Sequence, residues 1–366
     1  MKKLRVVVST GGTGGHIYPA LTVAEALRRR GACVLLVGAE GGLEASLSRK
    51  AGIEFAAVPV AKPSKGVLGF LRFAARIGVS FMRALRLIRL YDPDVVVGMG
   101  SYASFAVVQA AVLLGVPTMI HEQNAVPGRA NRILGRRASA VALTFEEAAS
   151  WFPADRTHVT GLPVRAGIGS ANRNEASEFF GLEPNRRTLL VLGGSQGALS
   201  LNTAVQQAVQ TWLESGIQVL HVTGASHFEH VQKYACRGYA VLPYVERMDL
   251  AYSACDLALC RAGAGTMAEL AVCGVPSILV PYPYAADKHQ EANAKVFEAA
   301  GASVVISDSE LRSGAAVTLV LELMRDEEKL RTMSLCARRL ARPRAVEDIC
   351  DIIGNLAVDC RINPRE

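Results

Sequence analysis

Two glycine-dense turns carry the first chemical signal in this chain. Thr10-Gly11-Gly12-Thr13-Gly14-Gly15-His16 follows the apolar run 4–9, and Gly193-Gly194-Ser195-Gln196-Gly197-Ala198 follows a second apolar run at 188–192. Without a β-carbon, backbone N–H groups can approach an anion closely, and a helix starting at the turn adds the positive end of its dipole. Phosphate handling is the chemistry such turns serve; tight strand-to-helix packing is the plainer alternative. A second signal is charge. Between Glu54 and Asp92 there is no acidic residue, but there are Lys62, Lys65, Arg72, Arg76, Arg83, Arg86 and Arg89. Setting these seven aside leaves 33 of the 40 basic residues against 33 acidic ones, so the net charge of +7 is local. An anionic membrane surface and nucleic acid are the partners such a segment suggests.

Elements must hold those turns in place. The stretch 95–120 is uncharged and long enough to cross a bilayer. Gly98, Gly100, Ser101, Tyr102, Gln109 and Pro117 instead divide it into a strand at 95–97, a helix at 103–114 and a strand at 118–120. That is the pattern of a parallel sheet covered on both faces. The plan recurs as a strand at 256–259, a turn at 261–265, a helix at 266–273, Gly274-Val275-Pro276 and a strand at 277–280. Asp94 with Gly115-Val116-Pro117 thus matches Asp256 with Gly274-Val275-Pro276. The class predicted is α/β: two Rossmann-like, doubly wound domains with the site in an interdomain cleft, beyond the carboxyl ends of the strands. The boundary is expected near Gly161-Leu162-Pro163, giving domains 1–162 and 163–340. Residues 311–340 read as helical and charged, Pro343 breaks them, and 341–366 is expected to return to the first domain.

Composition bounds the rest. At 366 residues, 50% hydrophobic and 20% charged, the chain is folded and long enough for two cores. Its eight cysteines contain no CxxC pair, which predicts reduced thiols rather than a disulfide frame or a zinc site. Lys2-Lys3 precedes only a short apolar run, which does not read as a signal peptide. On a helical wheel, Phe70, Phe73, Ile77, Phe81, Leu85 and Ile88 share one face, and Arg72, Arg76, Arg83 and Arg86 the other, with Gly78 a candidate interruption. One reading is a crossover helix on the sheet; the other is a basic amphipathic stretch on anionic lipid, favoured by Val67, Leu68, Phe70 and Leu71. Nucleic acid is the weakest partner, because interleaved exposed aromatics are missing.

Four blocks resemble one family: Gly11-Gly12-Thr13-Gly14-Gly15-His16-Ile17-Tyr18-Pro19, His121-Glu122-Gln123-Asn124, Gly193-Gly194-Ser195-Gln196-Gly197-Ala198, and Arg261-Ala262-Gly263-Ala264-Gly265-Thr266-Met267-Ala268-Glu269. They are similar to the MurG family, the peptidoglycan N-acetylglucosaminyltransferases, over about residues 6–302. The resemblance implies the GT-B fold and transfer of GlcNAc from UDP-GlcNAc to undecaprenyl-pyrophosphoryl-MurNAc-pentapeptide, lipid I, giving lipid II. It also implies a peripheral protein on the cytoplasmic face of the bacterial inner membrane, bound through segment 62–89, that needs no metal or other cofactor.

The same resemblance implies roles. Ser195, with an N-cap as its other reading, and Arg165 would meet the donor diphosphate. Glu269 would accept from the ribose hydroxyls; by spacing alone it is a carboxylate in a first helical turn. Ala264, Gly265, Thr266, Met267 and Ala268 would wall the sugar and diphosphate. The Val245 backbone would meet uracil, and Gln290 would read GlcNAc hydroxyls. Thr13, Gly14, Gly15 and Asn124 would lie near the acceptor diphosphate and donor sugar. Two general bases are in play, His16 and Glu122; Glu122 also reads as a brace for its own loop. Leu162, Ala262 and Ala285 depart from the family's Asn, Ser and His at those positions. Direct displacement with inversion is expected, since no carboxylate nucleophile pair is evident. Asp92-Pro93-Asp94 lies at the wrong end of its strand for a metal. Rivals are a diacylglycerol glycosyltransferase, a UDP-sugar epimerase and a non-catalytic UDP-sugar sensor.

Overall fold

The computed structural model describes residues 3–12, 14–60, 67–194 and 196–362. They form two compact units, one of residues 1–165 with 343–366 and one of residues 166–342. The first unit alternates β1 (Arg5–Ser9), α1 (Gly14–Arg29), β2 (Cys33–Ala39), α2 (Leu43–Lys50), β3 (Glu54–Val58), α3 (Val67–Tyr91), β4 (Val95–Gly98), α4 (Tyr102–Leu113), β5 (Thr118–Glu122), α5 (Arg129–Leu134), β6 (Ala140–Leu143) and β7 (Thr157–Val159). All pairings are parallel, in the order β3-β2-β1-β4-β5-β6-β7. The uncharged stretch 95–120 is therefore two buried strands and a helix, and none of the described helices is long and apolar enough to cross a membrane.

The second unit runs α6 (Arg173–Phe180), β8 (Thr188–Leu192), α7 (Leu199–Glu214), β9 (Gln218–Val222), α8 (Ala225–Val231), β10 (Tyr239–Leu242), α9 (Met248–Ala254), β11 (Leu257–Cys260), α10 (Ala264–Cys273), β12 (Ser277–Leu279), α11 (His289–Ala299), β13 (Ser303–Val305), α12 (Asp308–Arg312), α13 (Ala315–Arg325) and α14 (Glu327–Leu340). Its strand order, β10-β9-β8-β11-β12-β13, repeats the first unit's β3-β2-β1-β4-β5-β6, without a counterpart of β7. The expected single helical run 311–340 is interrupted twice, at Ser313-Gly314, where Gly314 takes φ +89°, and at Asp326, which caps α14 by accepting from the Lys329 N–H at 2.9 Å.

The matched aspartates have a shared physical task. Asp94 Oδ2 accepts from the Arg5 N–H at 2.8 Å, and Asp256 Oδ2 accepts from the Thr188 N–H at 2.8 Å. Each aspartate precedes a central strand and satisfies the first donor of the neighbouring one, so the repeat marks the start of β1 beside β4 and of β8 beside β11. Asp256 also pairs with Arg173 and Arg187. Neither aspartate stands at the carboxyl end of the sheet, where ligands bind.

The last helix, α15 (Ala345–Ile362), belongs to the first unit. Ile349, Cys350, Ile353 and Ala357 are buried against Val23, Leu27, Val95 and other residues of α1, β1 and β4. Truncating the fully buried Ile353 to Ala would cost about 2–5 kcal/mol. On the other face of the sheet, α3 runs unbroken through Gly78. It buries Ala84, Leu85 and Ile88 and half-buries Ile77 and Phe81, close to the expected apolar face. The opposite face departs from expectation. Alongside exposed Arg76, Arg83, Arg86 and Arg89 it shows Val79 (50% exposed), Met82 (64%) and Leu90 (75%). Lys62 and Lys65 lie outside the described residues; Val67, Leu68, Phe70 and Leu71 lie in the first turns of α3, whose side chains are described from Ala75 on.

Candidate functional site

Each glycine turn leaves the carboxyl end of its sheet's first strand, beside the place where strand order reverses (β1/β4 and β8/β11), the usual ligand site of such sheets. In the first unit, α1 starts at Gly14, so Gly14, Gly15 and His16 form its first turn; Thr13 lies outside the described residues. No acidic side chain occupies that turn, which keeps the dipole's positive end for another anion. Pro19, inside α1, has no N–H to offer the carbonyl of Gly15. Thr10 Oγ1 donates to the His16 carbonyl at 3.0 Å. The His16 ring packs on the next turn: a β-carbon on Gly100 would sit 2.8 Å from His16 Nδ1, and Gly100 takes φ +82°. Glycine is required there both by the backbone and by the histidine.

The His121–Asn124 block is built mainly as a scaffold. The His121 ring is fully buried and lies 2.9 Å from the Gly161 carbonyl through Nε2, which must carry the proton for that bond. Burial, with a smaller push from His16, lowers its pKa to about 4, so the ring is neutral. Glu122 is 1% exposed. Its Oε1 accepts from the Asn124 N–H (2.9 Å) and Asn124 Nδ2 (3.3 Å), and its Oε2 from the Gly128 N–H (3.1 Å) and Asn131 Nδ2 (2.8 Å). Burial pushes the carboxyl pKa up against those four donors. Both oxygens of the carboxylate are thus engaged by its own loop and by Asn131. Asn131 was invisible as a partner in the sequence, because its link to Glu122 exists only once β5 runs into α5.

Arg165 is the last residue of the first unit, although the sequence reading assigned it to the second half. Its guanidinium lies over the Tyr18 ring of α1, 4.9 Å from the centroid, which fixes it beside the first glycine turn's helix. Leu162 is buried at 4% exposure, so the departure from Asn is absorbed by apolar packing.

In the second unit, the helix after the second glycine turn begins at Leu199, with Ala198 in the N-cap position and no side-chain cap. Ser195, with its expected N-cap and diphosphate roles, lies outside the described residues. Gly197 takes φ +73°, and a β-carbon there would collide with the Thr223 carbonyl, so this glycine serves packing. Gly263 differs: φ is −75° and nothing lies within 4 Å of a β-carbon built on it. It precedes α10, whose first turn, Ala264 to Met267, has no side-chain cap and no acid.

Glu269 sits in the second turn of α10, not the first, which removes the dipole reading. It is 8% exposed, and its Oε2 accepts from the Tyr252 hydroxyl of α9 at 2.8 Å. Tyr252, 2% exposed, is a residue the sequence did not signal: it lies on another helix with no motif around it. Ala268 follows Met267 in the same helix. Val245 is buried at 5% exposure in the loop between β10 and α9. Gln290, second residue of α11, uses Oε1 to accept from the Tyr282 N–H at 2.9 Å. Asn293 Nδ2 donates to the Ala262 carbonyl at 3.3 Å. Among the described residues, no group of three or more His, Cys, Asp or Glu side chains is placed to hold a metal ion.

Residues 6–143 match the glycosyltransferase family 28 N-terminal domain, and residues 188–349 match the family 28 C-terminal domain. Two parallel Rossmann-like units carrying those domains define a glycosyltransferase of GT-B fold. The chain is 42% identical to the UDP-N-acetylglucosamine–N-acetylmuramyl-(pentapeptide) pyrophosphoryl-undecaprenol N-acetylglucosamine transferase of Desulforudis audaxviator, over 97% of this chain and 99% of that one. It is 38% identical to the enzyme of the same name from Halothermothrix orenii, with the same coverage. The crystal structure of Acinetobacter baumannii MurG superposes with a TM-score of 0.77 at 32% identity, over 97% of this chain and all of that one. The chain belongs to this family of N-acetylglucosamine transferases, the MurG family.

Proposed function

We propose that this chain is an inverting glycosyltransferase that moves GlcNAc from UDP-GlcNAc to undecaprenyl-pyrophosphoryl-MurNAc-pentapeptide in peptidoglycan synthesis. The observation that carries the reading is the duplicated glycine turn, placed at the strand-order reversal of each of two matched sheets. One pyrophosphate belongs to a polyprenyl acceptor, which the first turn suits, and the other to a nucleotide donor, which the α10 turn suits, next to the second glycine turn on the paired strands β8 and β11.

In this reading, the second unit holds the donor. The open Gly263 position and the uncapped start of α10 favour a diphosphate at Ala264–Met267 with Ala268 behind, joined by Ser195. Glu269, oriented by Tyr252, accepts from the ribose; the Val245 backbone meets uracil; the Gln290 amide NH2 reads the sugar. In the first unit, Thr13, Gly14 and Gly15 serve the acceptor diphosphate, and Asn124, held by Glu122, approaches the sugar. The His16 imidazole takes the proton from the MurNAc hydroxyl as that oxygen attacks the anomeric carbon. The bond to the diphosphate breaks with its electron pair, and Arg165 with the helix dipoles stabilises the departing UDP. One displacement inverts the anomeric centre.

The membrane is the acceptor's source and the reading places this chain on its cytoplasmic face as a peripheral protein. Support comes from the outer face of α3, where Val79, Met82 and Leu90 are exposed among Arg83, Arg86 and Arg89. Apolar side chains set among arginines suit an anionic lipid surface. The reading is tested by supplying radiolabelled UDP-GlcNAc with either a short-chain lipid I analogue or diacylglycerol. Label should enter only the polyprenyl product; transfer to diacylglycerol would favour the rival lipid glycosyltransferase. In the same preparation, Met82→Ser with Arg86→Ser and Arg89→Ser should reduce flotation with anionic vesicles, and unchanged flotation would remove α3 from the membrane account.

A further inference from the structure

Arg261 opens the Arg-Ala-Gly-Ala-Gly-Thr block, where a cation would ordinarily be read as a phosphate ligand. Its geometry says otherwise. Arg261 is 8% exposed, and both terminal nitrogens of its guanidinium are engaged inside the fold. Nη2 donates to Asp308 Oδ1 and to Ser200 Oγ, both at 2.7 Å, while Nη1 donates to the Val280 and Pro281 carbonyls at 3.1 and 3.3 Å. Ser200 Oγ in turn donates to Asp308 Oδ1 at 2.7 Å. Burial alone would raise the Asp308 carboxyl pKa, but bonds from Ser200, Arg261 and Arg312 outweigh it and hold it low, so the pair is ionised.

Four segments converge on this pair. Arg261 joins β11 to the turn before α10. Ser200 lies in the first turn of α7, just past the second glycine turn. Val280 and Pro281 lead from β12 to Tyr282, whose ring lies 5.6 Å from the guanidinium and whose N–H holds Gln290 Oε1. Asp308 begins α12, where Arg312 Nε donates to its second oxygen at 2.9 Å. A planar five-donor fork can fix several carbonyls and a carboxylate at once, which a lysine cannot.

We propose that Arg261 and Asp308 are positioning residues that set the Val280–Tyr282 segment, and through the Tyr282 N–H the Gln290 amide, against the α10 turn and so determine which hexose the donor carries. This rests on Gln290 as the sugar reader. The pair touches no ligand and acts on the choice of sugar.

The test compares kcat/KM for UDP-GlcNAc and for its C4 epimer, UDP-GalNAc, in the full chain and three variants. Asp308→Asn keeps shape and removes the charge, and Ser200→Ala removes one bond of the network. Gln290→Ala is the control for the reader itself. Removing one partner of a buried pair destabilises strongly, so melting temperatures are measured, and Ser200→Ala supplies a mild variant if Asp308→Asn does not fold. The expected result is a fall in UDP-GlcNAc preference of about tenfold in Asp308→Asn and a smaller fall in Ser200→Ala, with KM rising more than kcat drops, as displacement of a positioned group predicts. If Gln290→Ala loses the preference while folded network variants keep it, the positioning role is wrong and the sugar reading stands. If Gln290→Ala keeps it too, the sugar reading falls and the proposal with it.

Discussion

Glu122→Gln separates a brace from a base. The amide matches the carboxylate in shape but offers one acceptor oxygen where the native residue offers two. Four N–H donors, from Asn124 (two), Gly128 and Asn131, converge on Glu122, which is 1% exposed. The new NH2 would face donors on one side, so about two charge-assisted bonds are lost, at roughly 1.5–3 kcal/mol each. A loss of about 3–6 kcal/mol follows, because water cannot replace the missing partners. For a unit of this size that lowers the melting temperature by roughly 10 °C. Calorimetry of the intact chain reads the shift, and GlcNAc transfer, assayed well below the melting transition, reads activity per folded molecule. The brace account predicts a large thermal shift with a modest loss of turnover, arising through Asn124. A general base behaves oppositely: its removal costs about 100-fold or more in kcat and leaves melting nearly unchanged. A Glu122→Gln protein that melts like its parent and turns over a hundred times more slowly would refute the brace and return Glu122 to the chemistry.

Further outcomes follow from the same geometry. Glu269→Ala should raise the KM for UDP-GlcNAc strongly and Tyr252→Phe by about tenfold, the value of one charge-assisted bond; an unchanged KM in both would remove the ribose role. His16→Ala should lower kcat far more than donor affinity, and equal losses would indicate binding rather than proton removal. Stability should also depend on pH below neutrality. Burial holds His121 at about 4 and His221 at about 3, against 6.5 when unfolded, so both stay neutral when folded. Depressed values give stability that is complete above pH 6.5 and lost as pH falls, by about 1.4 kcal/mol per pH unit per histidine down to about pH 4. Denaturant titrations at pH 7 and pH 5 read the slope, and His221→Gln should flatten it for the second unit; an unaltered slope would contradict the assignment.

Much of the architecture could be read from local signals. Uncharged strands ending in glycine, helices ending in Gly-Val-Pro and the repeated aspartate all report short-range physics, and they placed β4, α4, β5, β11, α10 and β12 to within two residues at each end. What escaped the sequence depends on distant partners. The saturation of Glu122 needs Asn131, the orientation of Glu269 needs Tyr252, and the engagement of Arg261 needs Asp308, 47 residues away. The helical breaks at Gly314 and Asp326 were hidden by the strong amphipathic spacing around them. The apolar residues on the outer face of α3 were missed for a different reason: a wheel assigns two faces, whereas Val79, Met82 and Leu90 share theirs with arginines. The resemblance to the MurG family rested on motif blocks, and the family is confirmed over nearly the whole chain.

The central claim is a single inverting transfer onto a polyprenyl-pyrophosphate sugar. It is tested by incubating the chain with UDP-GlcNAc carrying 13C at the anomeric carbon and a short-chain polyprenyl-pyrophosphoryl-MurNAc-pentapeptide, then reading the anomeric coupling of the labelled carbon in the product by NMR. The account predicts a β-linked disaccharide on the lipid. An α-linked product, or label recovered only as free GlcNAc or unreacted donor, would contradict it.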